Sequence, residues 1–190
     1  MHIFQSHINK FTHIGNEEFA EVLQYFQIQT YRKKENLLVE GQLCKYRYFV
    51  LKGCLRKFFI DDKGTEQTTE FAIENWWLTD TIAFEHQLQT QFYIQAMEIS
   101  EVLFIERKAL DELLDRHPVL ERYFRFIYQR AFAAAQMRFK YLYGYTKEEM
   151  YHFFMVKHPE FAQRIPQKYL ASFLGFTPEY LSELRKKSVT

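Results

Sequence analysis

Gln167-Lys-Tyr-Leu-Ala-Ser-Phe-Leu-Gly-Phe-Thr-Pro-Glu-Tyr-Leu-Ser-Glu-Leu184 is the stretch on which the reading of this chain turns. Leu170, Leu174 and Phe176 precede Leu181 and Leu184 at helical spacing, with Gly175 between the two sets. Ala171 has to be small where two helices cross, and Gly175 supplies the left-handed backbone of a tight turn. Thr177 suits a helix N-cap and Pro178 the first helical position. The pattern predicts a helix-turn-helix. In DNA-binding versions of that motif the second helix enters the major groove and its first turns reach base edges. Thr177, Glu179, Tyr180 and Ser182 are then the candidates for base edges; Glu183 on the same helix either accepts from cytosine, pairs with Arg185 or Lys187, or repels phosphate. Gln167, Lys168, Arg185, Lys186 and Lys187 are the candidates for phosphates. From Arg164 to Lys187 five cations stand against Glu179 and Glu183, a local +3 of the sign that phosphate contact needs. The bland alternative is a helical hairpin that only packs or binds protein.

Upstream, Thr146-Lys-Glu-Glu149 is a capping box that opens another helix, with Tyr151 and Phe154 on one face, ending at His158-Pro159. Before it, Pro118 starts a run free of Gly and Pro to Tyr143, with Gly144 as its stop. Such a helix is about 39 Å long at 1.5 Å per residue. Leu120, Phe124, Ile127, Ala131, Ala134, Arg138 and Tyr141 recur along it at alternating spacings of four and three, a heptad seam. A helix this long outspans a small barrel, so that seam is expected to pair with a second copy of the chain. Packing on the chain's own barrel is the alternative. Glu106–Arg116 forms a shorter helix with Leu110, Leu113 and Leu114 buried.

From about residue 28 to 105 the texture is short β-type runs between turn signals: Tyr46–Leu51, Lys52-Gly53, Cys54–Ile60, then Asp61-Asp62-Lys63-Gly64 leading into Glu66–Ile73. Phe92–Met97 and Val102–Ile105 follow. So many short strands predict a closed barrel or jelly roll. Residues 16–27 read as a short helix capped by Asn16. The chain has 190 residues, 18% of them aromatic, and a net charge of +1, so any electrostatic binding site is local. Cys44 and Cys54 build no disulfide framework and read as buried thiols. The start has neither a basic region nor a sustained apolar run, and no segment reaches the roughly 18 apolar residues of a membrane span. A cytoplasmic protein without membrane partners is expected.

The order of short helix, β-roll, long heptad helix, helix and helix-turn-helix resembles the cyclic-AMP receptor protein/FNR (Crp/Fnr) family of bacterial transcription regulators. Ile165-Pro-Gln-Lys-Tyr-Leu-Ala-Ser-Phe-Leu-Gly-Phe-Thr-Pro-Glu-Tyr-Leu-Ser182 is the most telling segment, and Val50-Leu-Lys-Gly-Cys-Leu-Arg56 is similar to the family's paired strand in the sensor. The resemblance covers residues 16 to 187. It implies an α+β chain with an N-terminal jelly-roll β-roll of the cyclic-nucleotide-binding type over 1–117, a dimerisation helix over 118–144 and a DNA-binding domain over 145–190. It further implies a homodimer on a two-fold symmetric site in double-stranded DNA, working with RNA polymerase.

The departures from the family pattern shape the remaining expectations. Cyclic-AMP-binding relatives hold the ribose and phosphate with a Gly-Glu pair and an Arg-Ser/Thr pair. Asn75–Phe84 and Gln89–Phe92 contain neither the Gly-Glu nor the Arg, so a buried anionic ligand would lack its guanidinium. Cyclic AMP is therefore not expected, and the effector, if one exists, is unknown. Trp77, Asp80, Thr81, Thr90 and Gln91 are the weak candidates for an effector pocket; a solvated loop, and core filling by Trp77, are their alternatives. Two cysteines cannot hold an iron–sulfur cluster. The seven histidines show no H-x-H, H-x-x-x-H or H-E-x-x-H spacing, so neither a metal site nor an enzyme is expected, and no cofactor is predicted. Glu183 stands where an Arg is common in the family, and no obvious wing follows the second helix before Thr190. These two features support a second reading, an effector-sensing or protein-interaction module whose helix-turn-helix has lost DNA.

Overall fold

The computed structural model describes residues 2–188, apart from the side chains of Glu160, Ala162, Lys187 and Ser188. The chain divides into two compact units. One runs to Phe59 and continues over Glu70–Arg130; the other joins Ile60–Thr69 to the residues from Ala131 onward.

The first unit opens with α1 (Ile3–Ile8) and α2 (Asn16–Leu23), then β1 (Gln27–Tyr31), β2 (Asn36–Leu38), β3 (Tyr46–Lys52), β4 (Leu55–Ile60), β5 (Glu66–Ala72) and β6 (Trp77–Leu78). After α3 (Thr81–His86) come β7 (Tyr93–Ala96), β8 (Ser100–Glu106) and α4 (Arg107–Arg116), and α5 (Val119–Gly144) carries the chain into the second unit. Two four-stranded sheets, in the orders β1-β8-β3-β6 and β2-β7-β4-β5, make the roll that the turn signals predict. Both contribute to one core: Tyr48, Phe49, Val50, Leu103 and Ile105 from the first sheet, Leu38, Leu55, Ile94 and Ala96 from the second. The β3–β4 turn passes so close to β8 that a Cβ on Gly53, at φ +102°, would lie 2.4 Å from Ser100 Oγ and 2.8 Å from the Ile99 carbonyl. Only glycine fits there.

One element lies upstream of those read from the sequence, and two local details differ from the expectation. The start of the chain is helical: α1 is capped by His2, whose Nδ1 accepts from the Phe4 amide. Asn16 does not cap α2. Gly15 holds the N-cap position, and Asn16 Oδ1 instead accepts from Gln5 Nε2, tying α2 to α1. That helix also stops at Leu23, because Gln27 already belongs to β1.

Helix α1 seats Phe4 among Phe19, Phe26, Phe49, Trp77 and Tyr123, with ring centroids 4.8–6.1 Å apart. Edge-to-face and tilted pairs of this kind add about 0.5–1.5 kcal/mol each beyond burial. A short polar chain runs through the cluster: Trp77 Nε1 donates to the Tyr123 hydroxyl at 2.8 Å, and that hydroxyl lies 2.8 Å from His7 Nδ1. The indole can only donate to the hydroxyl, whereas which of the hydroxyl and His7 Nδ1 donates to the other is set by the imidazole tautomer. Burial, with Lys10 and Arg130 nearby, lowers the His7 pKa to about 4.

In the second unit α6 (Lys147–Lys157) carries the expected capping box, with Thr146 and Glu149 satisfying each other's amides. Then come α7 (Pro159–Arg164), α8 (Gln167–Leu174) and α9 (Pro178–Ser188). Tyr151, Phe154, Phe161, Ile165, Leu170, Ala171, Leu174, Phe176, Leu181 and Leu184 are buried here. The tip of the β4–β5 hairpin belongs to this unit. Asp61 Oδ1 accepts the amides of Lys63 and Thr65, and Gly64 turns the chain at φ +76°. Ser172 Oγ donates to the Glu66 carbonyl and accepts from the Thr68 amide, both at 2.8 Å. Arg138 donates to the carbonyls of Thr69 and, at 3.0 Å, Phe173, with its guanidinium 4.2 Å from the Phe173 ring centroid. Ser172 and Arg138 thus give partners to backbone groups of Glu66, Thr68 and Thr69 in the first half of β5.

Candidate nucleic-acid interface

Helices α8 and α9 form the helix-turn-helix residue by residue. Ala171 is fully buried where they cross, and Gly175 ends α8 in the left-handed conformation, φ +74° and ψ +30°. The Phe176 amide returns to the Ala171 carbonyl at 2.8 Å. Thr177 Oγ1 accepts from the Tyr180 amide at 3.3 Å, the N-cap read from the sequence, and Pro178 is the first residue of α9.

Leu181 and Leu184 turn inward, which sends Glu179, Ser182, Glu183 and Lys186 outward at i, i+3, i+4 and i+7, one stripe along α9. Thr177, Glu179, Glu183, Arg185 and Lys186 are exposed and Ser182 is half-buried. Tyr180 is also half-buried: its ring packs edge-on against Phe176 at 5.5 Å, and Lys147 Nζ stands 5.2 Å above it. Lys147 thus brings a cation beside the start of α9 that the sequence reading missed, because it lies 31 positions upstream of Pro178, on α6. Gln167 and Lys168 are exposed on the first turn of α8, Lys168 4.6 Å above the Tyr169 ring. Arg185 lies near Tyr151, where it opposes the upward pKa shift that burial gives that phenol. The side chain of Lys187 lies outside the described residues. Among the described residues Glu183 forms no ion pair, so its carboxylate stands open on the stripe.

The pocket candidates of the roll separate into three sets. Asp80 and Thr90 come together, Thr90 Oγ1 donating to Asp80 Oδ2 at 2.8 Å, while Asp80 Oδ1 caps α3 through the Ala83 amide. Thr81 and Gln91 are exposed. Trp77 faces Phe26, Phe49 and Phe124, filling the core. A cation that sequence reasoning passed over is buried beside the Asp80 group. Lys57 Nζ donates to the Thr79 carbonyl at 3.1 Å, pairs with Glu70 and sits 5.2 Å from the Phe92 ring. Cys44 Sγ lies 3.4 Å from Thr79 Oγ1, and burial raises its pKa, so it remains a thiol. Cys54 is buried as well. Among the described residues no group of three His, Cys, Asp or Glu side chains could hold a metal ion, and no helix is long and apolar enough to cross a membrane.

Along α5, Leu120 and Phe124 are buried in the roll's own core and Ile127 is half-buried against it. Arg138 is engaged by Thr69 and Phe173, and Tyr141 packs on Phe153 at 4.4 Å. The predicted seam thus turns largely toward the chain itself, apart from the exposed Ala131 and Ala134. A different heptad row stands open: Phe132, Ala135, Phe139 and Leu142, exposed at spacings of three, four and three, with Phe132 66% and Phe139 60% accessible.

Residues 28–117 match the cyclic nucleotide-binding domain family. No curated protein sequence matches the chain. Among solved structures, FixK2 from Bradyrhizobium japonicum is similar at 18% identity and a TM-score of 0.74, over 85% of this chain and 83% of that one. A CooA mutant from Carboxydothermus hydrogenoformans gives 17% and 0.72, over 88% and 78%. The catabolite activator protein of Thermus thermophilus gives 20% and 0.58, over 92% and 83%. Residues 28–117 are thus a domain of the cyclic nucleotide-binding type, and the chain that carries it, from roll through long helix to helix-turn-helix, has the fold of the Crp/Fnr regulators.

Proposed function

We propose that this chain is a homodimeric, sequence-specific DNA-binding transcription regulator of the Crp/Fnr type that works without cyclic AMP and catalyses no reaction. The observation that carries this reading is the outward stripe of α9, set by the Gly175 turn and the Thr177 cap. Thr177, Glu179, Ser182 and Glu183 then face base edges, with Tyr180 bracing the start of the helix from its half-buried position. Gln167, Lys168, Arg185, Lys186 and Lys187 face phosphates, and Lys147 joins them. A carboxylate in the major groove accepts from cytosine N4, so Glu183 favours a cytosine where an arginine would take guanine.

The open row Phe132, Ala135, Phe139 and Leu142 supports pairing of two α5 helices, with Ala135 small enough for close approach. The loop chemistry supports a regulator that does without cyclic AMP: no arginine stands in Asn75–Phe92, and Lys57 is already engaged by Glu70 and Thr79. RNA polymerase is the protein partner implied by the family.

A second reading draws on Glu179 and Glu183, two of the four side chains on the α9 stripe, which repel phosphate in a helix that no longer enters DNA. Fluorescence anisotropy on the DNA upstream of the chain's own coding region and on random duplex, at two salt concentrations, separates the readings. Preferential, salt-sensitive binding to the upstream DNA is expected. Equal, weak binding to both duplexes at low salt favours the second reading.

A further inference from the structure

The first unit carries a concentration of positive charge of its own, on residues that do not belong to the helix-turn-helix. Lys10, Arg122, Arg125 and Arg130 are all exposed, and they surround two half-buried rings, Phe11 and Phe126, whose centroids are 5.8 Å apart. The guanidinium carbons of Arg122 and Arg125 lie 5.7 and 5.8 Å from the Phe126 centroid, and that of Arg130 lies 5.7 Å from Phe11. Among the described residues none of these four cations enters an ion pair. Glu121 is the one acid between Val119 and Arg130. The whole chain holds a net +1, so the patch is a local excess that the rest of the chain offsets.

We infer that Lys10, Arg122, Arg125 and Arg130 form a second nucleic-acid contact surface, one that engages backbone phosphates without reading sequence. Three features fit a phosphate rod better than an acidic peptide. Four cations stand on the surface against the single acid Glu121 of the same helical stretch. Three of its four cations are arginines, and a guanidinium lying by an aromatic ring keeps its N–H edges free for phosphate oxygens. Arg122 to Arg130 spans about 12 Å of helix at 1.5 Å per residue. Phosphates advance about 3.4 Å along each strand, so that span faces roughly three to four of them on one strand. The buried His7 beneath the surface, at a pKa lowered to about 4, has Lys10 and Arg130 as its charged neighbours and no carboxylate to offset them. The inference rests on the regulator reading in that DNA is already the proposed ligand of the chain.

The test compares the full-length wild type, R122Q/R125Q/R130Q, R122K/R125K/R130K and R185A/K186A. Anisotropy of a labelled non-operator duplex of about 40 base pairs is followed over a salt series. Each phosphate contact contributes about 0.9 to the slope of log K against log salt. The glutamine variant is expected to lose about 2–3 from that slope and at least tenfold in low-salt affinity, with an unchanged unfolding midpoint. The lysine variant, which keeps the charge, retains most of the slope. If the glutamine variant keeps the wild-type slope while R185A/K186A loses slope, the surface makes no DNA contact and the helix-turn-helix reading stands. If only the glutamine variant loses slope, the surface is upheld and the helix-turn-helix reading falls. Wild-type protein that binds polyglutamate in preference to duplex of equal charge assigns the patch to an acidic protein and overturns the inference. Wild-type protein with no salt-dependent DNA binding overturns both.

Discussion

Tyr123→Phe isolates a single oxygen in the centre of the first unit. The ring keeps its contacts with Phe4, His7, Phe11 and Phe124, so the apolar packing is preserved. What disappears is a hydroxyl that accepts from Trp77 Nε1 and shares a hydrogen bond with His7 Nδ1, each at 2.8 Å. Each hydrogen bond is worth about 0.5–1.5 kcal/mol net, and a buried polar group left without a partner costs about 1–3 kcal/mol. Trp77 is half-buried and partly recovers water, whereas His7 is only 6% accessible and recovers little. The sum is about 2–4 kcal/mol, a large share of the roughly 5–15 kcal/mol that holds most domains folded. At about 2–4 °C per kcal/mol for a chain of this size, the melting point falls by roughly 5–15 °C. Urea titration at pH 7.5, followed by circular dichroism and tryptophan fluorescence, reads the change directly. A loss below about 0.5 kcal/mol, with the urea slope unchanged, would refute the argument that this hydroxyl ties α1 and β6 to α5.

Three more outcomes follow from the same geometry. His7 has a pKa of about 4 in the folded chain against 6.5 when free, so between those values the unfolded chain binds the extra proton and stability rises with pH. Its contribution is full above pH 6.5, about 2 kcal/mol smaller at pH 5 and about 3 kcal/mol smaller below pH 4; imidazole resonances that place the His7 titration near 6.5 would contradict this. Gly53→Ala forces a Cβ to 2.4 Å from Ser100 Oγ at φ +102°, and about 3 kcal/mol of destabilisation is expected by urea titration. Phe132→Glu with Phe139→Glu places four charges in a paired α5 seam and should convert a dimer to monomer in light scattering. A dimer that persists in the double variant would move the pairing surface elsewhere on the chain.

The helix-turn-helix was legible because its signals are local and chemical. Gly175, Thr177 and Pro178 act within a few residues, and so do the capping box at Thr146 and the Asp61–Gly64 turn. The open face of α5 was not legible. A heptad reading takes the most apolar row, and Leu120 and Phe124 belong to it, but the core of the roll already uses them. Which row remains depends on partners distant in sequence: Thr69 for Arg138 and Phe153 for Tyr141. Lys57 was hidden for a related reason. Leu55-Arg-Lys-Phe58 reads as a strand with its charges in solvent, yet all four residues are buried, with Gln95 meeting Arg56 and Thr79 and Glu70 meeting Lys57. The short α1 has no stripe of its own long enough to see; Phe4 and Ile8 are helical because rings supplied by later segments enclose them. The boundary between units, inside α5 and across the β4–β5 hairpin, has no composition shift to mark it.

The serine on the edge of β5 has a consequence for the order in which the chain assembles. Ser172 lies 104 and 106 positions beyond the strand atoms it binds, whereas the hairpin that presents them closes across a four-residue turn. Closing the short loop costs far less chain entropy than closing the long one. During synthesis the hairpin emerges about a hundred residues before α8, at a few seconds' or more remove at about 5–20 residues per second. The Thr68 amide and the Glu66 carbonyl therefore wait without their Ser172 partner until the last fifth of the chain arrives, an interval in which they are open to pairing with a neighbouring chain.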